Sequence, residues 1–250
     1  MKKIKNPLIR RIPKELIGDW KKYLVVFLFL VLTIGFVSGM YVANESMITS
    51  ANEGVTKYKQ EDGHFELKKQ ADATLLSAIE TGEKADFKAT KTTLYENFFR
   101  NEEEDYNNDG KKDGTIRVFA KTKDINLACM LQGSFPQKAD EIAIDRMHAD
   151  NVGIKVGDTV TVSGETYKVV GLLAYVNYST LHEKTTDLMF DALKFDVAMV
   201  TQDGFDRLHK SIHYTYAWKY ETEPADEAGE KTSSDNFMRA LLTQVVVADN

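Results

Sequence analysis

The sequence predicts an α+β fold: a single N-terminal transmembrane helix followed by a mixed α/β extracytoplasmic domain of two lobes. Three observations carry this expectation. The run Tyr23 to Ala43 has no charged residue across its 21 positions, and at about 1.5 Å per residue a helix of that length spans roughly 31 Å, the thickness of a bilayer's hydrocarbon. Charge divides at this run. Residues 1–22 hold eight basic side chains against Glu15 and Asp19, a formal +6, so the remainder holds −12 of the stated −6. Beyond the run, β-branched and aromatic residues alternate with period two in short segments, separated by capped helical patterns and turn residues.

The leader, 1–22, combines Leu8, Ile9, Ile12, Leu16, Ile17 and Trp20 with its cations. Two readings fit it: an amphipathic segment lying on the inner membrane surface, or a solvated positive flank. Lys and Arg are retained on the cytoplasmic side during insertion, so the transmembrane helix at 23–43 is expected to run N-terminus in, with the main domain extracellular. Trp20, Tyr23 and Tyr41 fall at the two interfaces. A cleaved signal peptide, with Val37-Ser38-Gly39 as its cleavage site, is the competing reading. The apolar run exceeds the 7–15 residues of an ordinary signal core, which favours a retained anchor.

Met47, Ala51, Val55 and Tyr58 follow at helical spacing without proline, predicting an extracellular stalk over 44–62. The core domain, 63–220, opens in a βαβ-like manner: a strand at 64–68, Asp72 capping a helix over 73–79, and a strand from Thr92 to Phe99. Glu102 to Gly114 reads as a polar loop before a strand at 115–120. A second lobe is expected to begin near Cys129. There a strand at 140–145 precedes a short helix, and a β-hairpin turns at Ser163-Gly164-Glu165 between Thr159-Val-Thr-Val and Thr166-Tyr-Lys-Val-Val-Gly-Leu-Leu. Further strands are predicted at 188–190, 195–200 and 214–220, with a short helix over 202–208. Residues 221–250 are an acidic connection and a terminal helix starting at Ser234 or Asp235.

The single cysteine, Cys129, excludes an internal disulfide, so stability must come from an ordinary packed core. The acidic balance and the lack of a basic patch argue against nucleic acid as a partner and leave the lipid bilayer as the evident one.

The segments Ala139-Asp-Glu-Ile-Ala-Ile-Asp-Arg, Asn151-Val-Gly-Ile-Lys-Val-Gly-Asp-Thr-Val-Thr-Val and Tyr167-Lys-Val-Val-Gly-Leu resemble the MacB-type extracytoplasmic core domain of FtsX-like ABC transporter permeases. The order of basic leader, first membrane helix and large external domain resembles that family too, over essentially the whole chain. The resemblance implies a permease subunit that works with a cytoplasmic ABC ATPase and a second permease copy or homologous subunit. It also implies at least three further membrane helices, so the 250 residues read as the N-terminal portion of a longer permease. No Gly-x-x-x-x-Gly-Lys-Ser/Thr loop is present, which assigns ATP hydrolysis to another chain. The alternative is a single-pass membrane-anchored extracellular binding or sensing module.

The sharpest local motif is Asp105-Tyr-Asn107-Asn-Asp109-Gly110-Lys-Lys-Asp113. Oxygens at loop positions 1, 3, 5 and 9 with glycine at 6 make Asp105, Asn107, Asp109 and Asp113 candidate calcium ligands, although Ile116 stands where a bidentate Glu belongs at position 12, a place that Glu102, Glu103 or Glu104 is available to fill. A solvated turn is the other reading. His209 and His213 have a zinc-ligand spacing but no third ligand nearby, and His64, His148 and His182 stand isolated. Tyr214, Tyr216, Trp218 and Tyr220 share one strand face, either as a recognition surface or as core packing. Cys129 sits in an apolar setting, Ser163 and Ser179 lack a nucleophile elbow, and no acid/base pair emerges. The chain is therefore expected not to be an enzyme, and to hold no cofactor beyond the candidate calcium.

Overall fold

The computed structural model describes residues 17–82, 91–178, 180–184 and 186–248. The chain divides into two units, Met1–Glu53 and Gly54–Asn250. Residues 1–16 of the basic leader, and with them its amphipathic reading, lie outside the described residues, as does Ser179.

The described part of the first unit is helical. Helix α1 runs Trp20–Lys57 and contains the whole predicted span. Its large apolar side chains point outward all round, from Val55 at 39% exposed to Met47 at 73%. A soluble helix would show an apolar stripe instead; an apolar belt on every side suits a lipid surrounding. Among the described residues, α1 is the one helix long and apolar enough to cross a membrane. Its end comes five residues before the predicted 62, because Lys59 takes a φ of 50° and the Gln60 N–H closes the last turn on the Val55 carbonyl.

The second unit holds two sheets. The smaller has the order β1-β10-β2, with β1 (Gly63–Leu67) and β2 (Thr92–Glu96) both antiparallel to β10 (Tyr214–Tyr220). Strands β1 and β2 are therefore parallel to each other, joined through α2 (Ala73–Thr81), and the βαβ-like start is a split βαβ unit with the last strand inserted. Asp72 caps α2 by accepting the Leu75 N–H, and Gly82 at φ 62° ends it. Helix α5 (Glu227–Ala248) packs with α2 over this sheet. It begins seven residues before Ser234, since Asp226 accepts the Gly229 N–H at 2.7 Å and Glu227 and Glu230 suit a helix N-terminus.

The larger sheet has the order β5-β8-β6-β9-β4-β3-β7, and β7 pairs again with β8, so six of its strands close into a ring. Its strands are β3 (Phe99–Asp105), β4 (Gly114–Ala120), β5 (Ala128–Gly133), β6 (Glu141–Asp145), β7 (Thr159–Val162), β8 (Glu165–Tyr175) and β9 (Phe195–Val200). Short helices α3 (Arg146–Val152) and α4 (Gln202–Asp206) flank it. The β7–β8 hairpin forms as the pattern predicts, with Ser163 and Gly164 both at positive φ, 48° and 87°.

Three further expectations change. The predicted strand from Thr92 to Phe99 is cut, β2 ending at Glu96 in the small sheet and β3 beginning at Phe99 in the large one. The large lobe thus starts thirty residues before Cys129. Secondly, the polar loop shrinks to 106–113, because Glu102, Glu104 and Asp105 are strand residues with buried side chains. Their charges are met by partners distant in sequence, which hydropathy cannot show. Thirdly, Leu188, Met189 and Phe190 form no strand; Leu188 is 99% exposed in a turn-rich connection.

Candidate functional site

The aromatic face resolves as core. Tyr216, Trp218 and Tyr220 are buried, and Tyr214 is half-buried. Trp218 meets Phe237 of α5 with ring centroids 4.3 Å apart, and Phe65 stacks on Tyr216 at 5.5 Å. Tyr216 Oη accepts the Ala71 N–H at 2.8 Å, giving its polar tip a partner inside the lobe. A recognition surface on this face is overturned, because the terminal helix covers it.

His209 and His213 do not share a helical face, since α4 ends at Asp206. His213 lies flat on Phe99 at 4.6 Å and meets Glu66 Oε1 through Nδ1 at 2.9 Å, while His209 is exposed. Cys129 is half-buried and accepts a hydrogen bond from the Tyr58 hydroxyl.

The four candidate calcium ligands lie around one turn, and they are held by it. Asp105 accepts the N–H groups of Asp109 (3.1 Å) and Gly110 (2.8 Å), and Asn107 Oδ1 accepts the Asp109 N–H at 2.9 Å. Asp113 Oδ2 accepts the Tyr106 N–H at 3.1 Å, and Asp109 Oδ1 that of Lys111 at 2.9 Å. Gly110 has φ 83°, the conformation for which glycine was expected at position 6. The loop is anchored to β7 by Asn108, which donates to the Thr159 carbonyl and accepts from Thr161, both at 2.8 Å.

Immediately before this loop the structure assembles a cluster that no spacing in the sequence reveals. Glu104 on β3, His148 on α3 and Asp196 on β9 are each 0% exposed, and one ligand atom from each lies within 4.8 Å of the others. Asp196 shares one face of β9 with Ala198 and Val200, which belong to a core cluster with Ile116, Val160 and Tyr167. His148 Nδ1 meets the Ala192 carbonyl at 2.8 Å, and Nε2 lies 3.4 Å from Glu104 Oε1. Asp196 Oδ1 accepts the N–H groups of Val197 (2.7 Å) and Asp145 (3.2 Å). Asp145 in turn caps α3 by accepting from Met147 and His148, so the acid on β9 positions the helix that carries the imidazole. Gly114, opposite Glu104 across β3 and β4, allows the sheet to close here: a Cβ would stand 2.6 Å from the Lys194 carbonyl oxygen.

Burial disfavours a charged His148, but the adjacent Asp196 and Glu104 carboxylates outweigh it and hold its pKa up at about 9. Burial pushes Asp196 well above the ordinary carboxylate range, against the pull of His148. A surface cleft of about 460 Å³ runs alongside, lined by Glu103, Glu104, Asp105, Ser163, His209 and Lys210 among others. One signal was available in the sequence: Asp196 is an inward-facing acid within Phe-Asp-Val-Ala-Met-Val, a segment otherwise fit for a fully buried strand.

No family model matches the chain, and no curated protein matches it. Solved structures are similar, two of them as follows. The extracellular domain of the noncanonic ABC-type transporter YknZ from Gram-positive bacteria is 14% identical over 72% of this chain and 92% of that chain, at a TM-score of 0.35. The periplasmic region of MacB from Actinobacillus actinomycetemcomitans is 10% identical over 64% of this chain and 70% of that one, also at 0.35. Among the solved structures this chain is similar to are thus the extracellular domain of an ABC-type transporter and the periplasmic region of MacB, and here the α+β domain follows one long apolar helix among the described residues.

Proposed function

We propose that this chain is the membrane-spanning N-terminal portion of an ABC transporter permease subunit, with its N-terminus in the cytoplasm and residues from about 44 onward outside. The observation that carries the reading is α1: a helix of 38 residues, Trp20–Lys57, which from Tyr23 to Ala43 has no charged residue on any side and which leads into a mixed α/β domain. The cationic leader supports the orientation, since basic residues resist export. The segments quoted above from Ala139 to Leu172 support the family. A separate cytoplasmic ATPase turns over ATP, and α1 couples that work to movement of the external domain for export or extraction of a substrate. A second permease copy or homologous subunit completes the translocation path.

Two measurements on intact cells test this. In a Cys129→Ala background, a membrane-impermeant maleimide is expected to label Lys68→Cys and to leave Lys3→Cys unlabelled until the cells are opened. Cross-linking of the full chain in native membranes is then expected to recover a P-loop ATPase. The reverse labelling pattern would sink the topology. Correct topology with no ATPase recovered would favour a single-pass binding or sensing module.

A further inference from the structure

We infer that Glu104, His148 and Asp196 form a binding site for one divalent first-row transition cation of the zinc class, fastening β3, α3 and β9 together. Four buried polar atoms of this cluster have no hydrogen-bond partner: both carboxylate oxygens of Glu104, Oδ2 of Asp196 and Nε2 of His148. A folded interior rarely leaves so many polar atoms unpartnered at one point, and each must be met by a proton, a water or an ion.

The geometry points to an ion. A carbonyl oxygen can only accept, so the Ala192 carbonyl fixes the hydrogen of His148 on Nδ1 and leaves Nε2 facing the carboxylates. Metal-bound histidines are oriented in this way, one ring nitrogen on the metal and the other donating to a backbone carbonyl. The Nε2 to Glu104 Oε1 separation of 3.4 Å is long for a charge-assisted hydrogen bond, which prefers about 2.7–2.9 Å. It is close to the roughly 3.3 Å between two ligands of a tetrahedral zinc bonded at about 2.0–2.1 Å. Asp196 shows the same division of labour, with Oδ1 held by two backbone N–H groups and Oδ2 left over.

Charge balance agrees. Once a cation has displaced their protons, two carboxylates and a neutral imidazole carry −2, which a divalent cation cancels. One imidazole with two oxygen donors suits zinc, and manganese or iron next, better than calcium or magnesium. The competing arrangement is an imidazolium sharing protons with the two acids.

The full chain, purified in detergent without a histidine tag, separates the two. Elemental analysis is expected to find about one zinc per chain after exposure to zinc and washing. Stripping with a chelator should lower the melting temperature, and a hundredfold excess of zinc over its dissociation constant should restore roughly 5–10 °C. Cobalt(II) in its place should give visible d–d absorption of a nitrogen and oxygen ligand set. Glu104→Gln and His148→Gln should each lose the bound metal, while Asp109→Asn in the exposed loop should keep it. The inference is overturned if the native chain holds no zinc and does not shift in melting temperature. It is equally overturned if cobalt gives no such bands, or if metal persists in both Glu104→Gln and His148→Gln.

Discussion

The Tyr58 hydroxyl donates to Cys129 Sγ across 2.8 Å, joining the residue just past α1 to the second residue of β5. The backbone reinforces the link, because Leu127 and Asn126 donate to the Tyr58 and Lys59 carbonyls at 2.8 and 3.0 Å. Cys129 is thereby a structural acceptor. A double-mutant cycle of Tyr58→Phe and Cys129→Ala, read by thermal unfolding, is expected to give a coupling energy of about 0.5–1 kcal/mol. Independent effects of the two changes would show that the bond contributes nothing.

Arg117 is the clamp for the connection after β8. Its guanidinium donates to Asn101 Oδ1 (3.0 Å), the Tyr178 hydroxyl (2.9 Å) and the Glu183 carbonyl (2.8 Å), and it lies 4.4 Å from the centre of the Phe99 ring. Arg117→Ala is expected to cost about 2 kcal/mol and to speed amide exchange around Tyr178 and Leu181. Arg117→Lys should rescue little of this, because an ammonium lacks the planar fork that reaches three acceptors at once.

Phe237 tests whether α5 is integral to the small lobe. It is 1% exposed and faces both Trp218 and Phe65. Phe237→Ala should destabilise by about 3–5 kcal/mol in urea unfolding, the usual range for emptying such a site. A cost below about 1 kcal/mol would mean that α5 is only loosely attached.

His64 gives the domain a pH dependence of definite sign. Its Nδ1 bonds Glu61 Oε1 at 2.8 Å, which lifts its pKa above 6.5 against the opposing effect of burial. The folded state therefore holds this proton more tightly than the unfolded state. The stability so gained is complete below the unfolded pKa and is lost as pH rises through the folded one. Urea midpoints measured from about pH 6 to pH 8 should fall more steeply for the native protein than for His64→Gln. Parallel slopes would remove His64 as the cause.

The loop 105–113 is expected to take calcium weakly, in the millimolar range of extracellular modules, since several of its oxygens already accept N–H donors and Ile116 offers none at the twelfth position. A calcium-dependent rise in melting temperature, lost in Asp109→Ala, checks this. No rise at ten times that concentration removes calcium from the account.

What the sequence disclosed was local. The membrane helix, the Asp72 cap, the Ser163-Gly164 hairpin and strands β9 and β10 depend on residues close together in the chain, where periodicity and turn chemistry act. The acidic half of β3 was illegible for the opposite reason. Glu102 is held by the Ser163 hydroxyl and the Lys210 N–H, and Glu104 faces His148, all 44 or more residues away. The same distance hid the triad. Tyr216 and Trp218 left two readings open because a strand pattern shows which residues share a face but not which helix will cover it.

The insertion of β10 between β1 and β2 sets an order of events during synthesis. The first two strands to leave the ribosome have no neighbour until residues 214–220 arrive, and their covering helix is completed only at Ala248. The closed ring of β3, β4 and β6 to β9 can form in the meantime, since all its strands lie between residues 99 and 200. Contacts separated by some 150 residues close slowly. Until they close, Phe65 and Leu94 are exposed to chaperones and proteases, so the part of the domain made first is the part finished last.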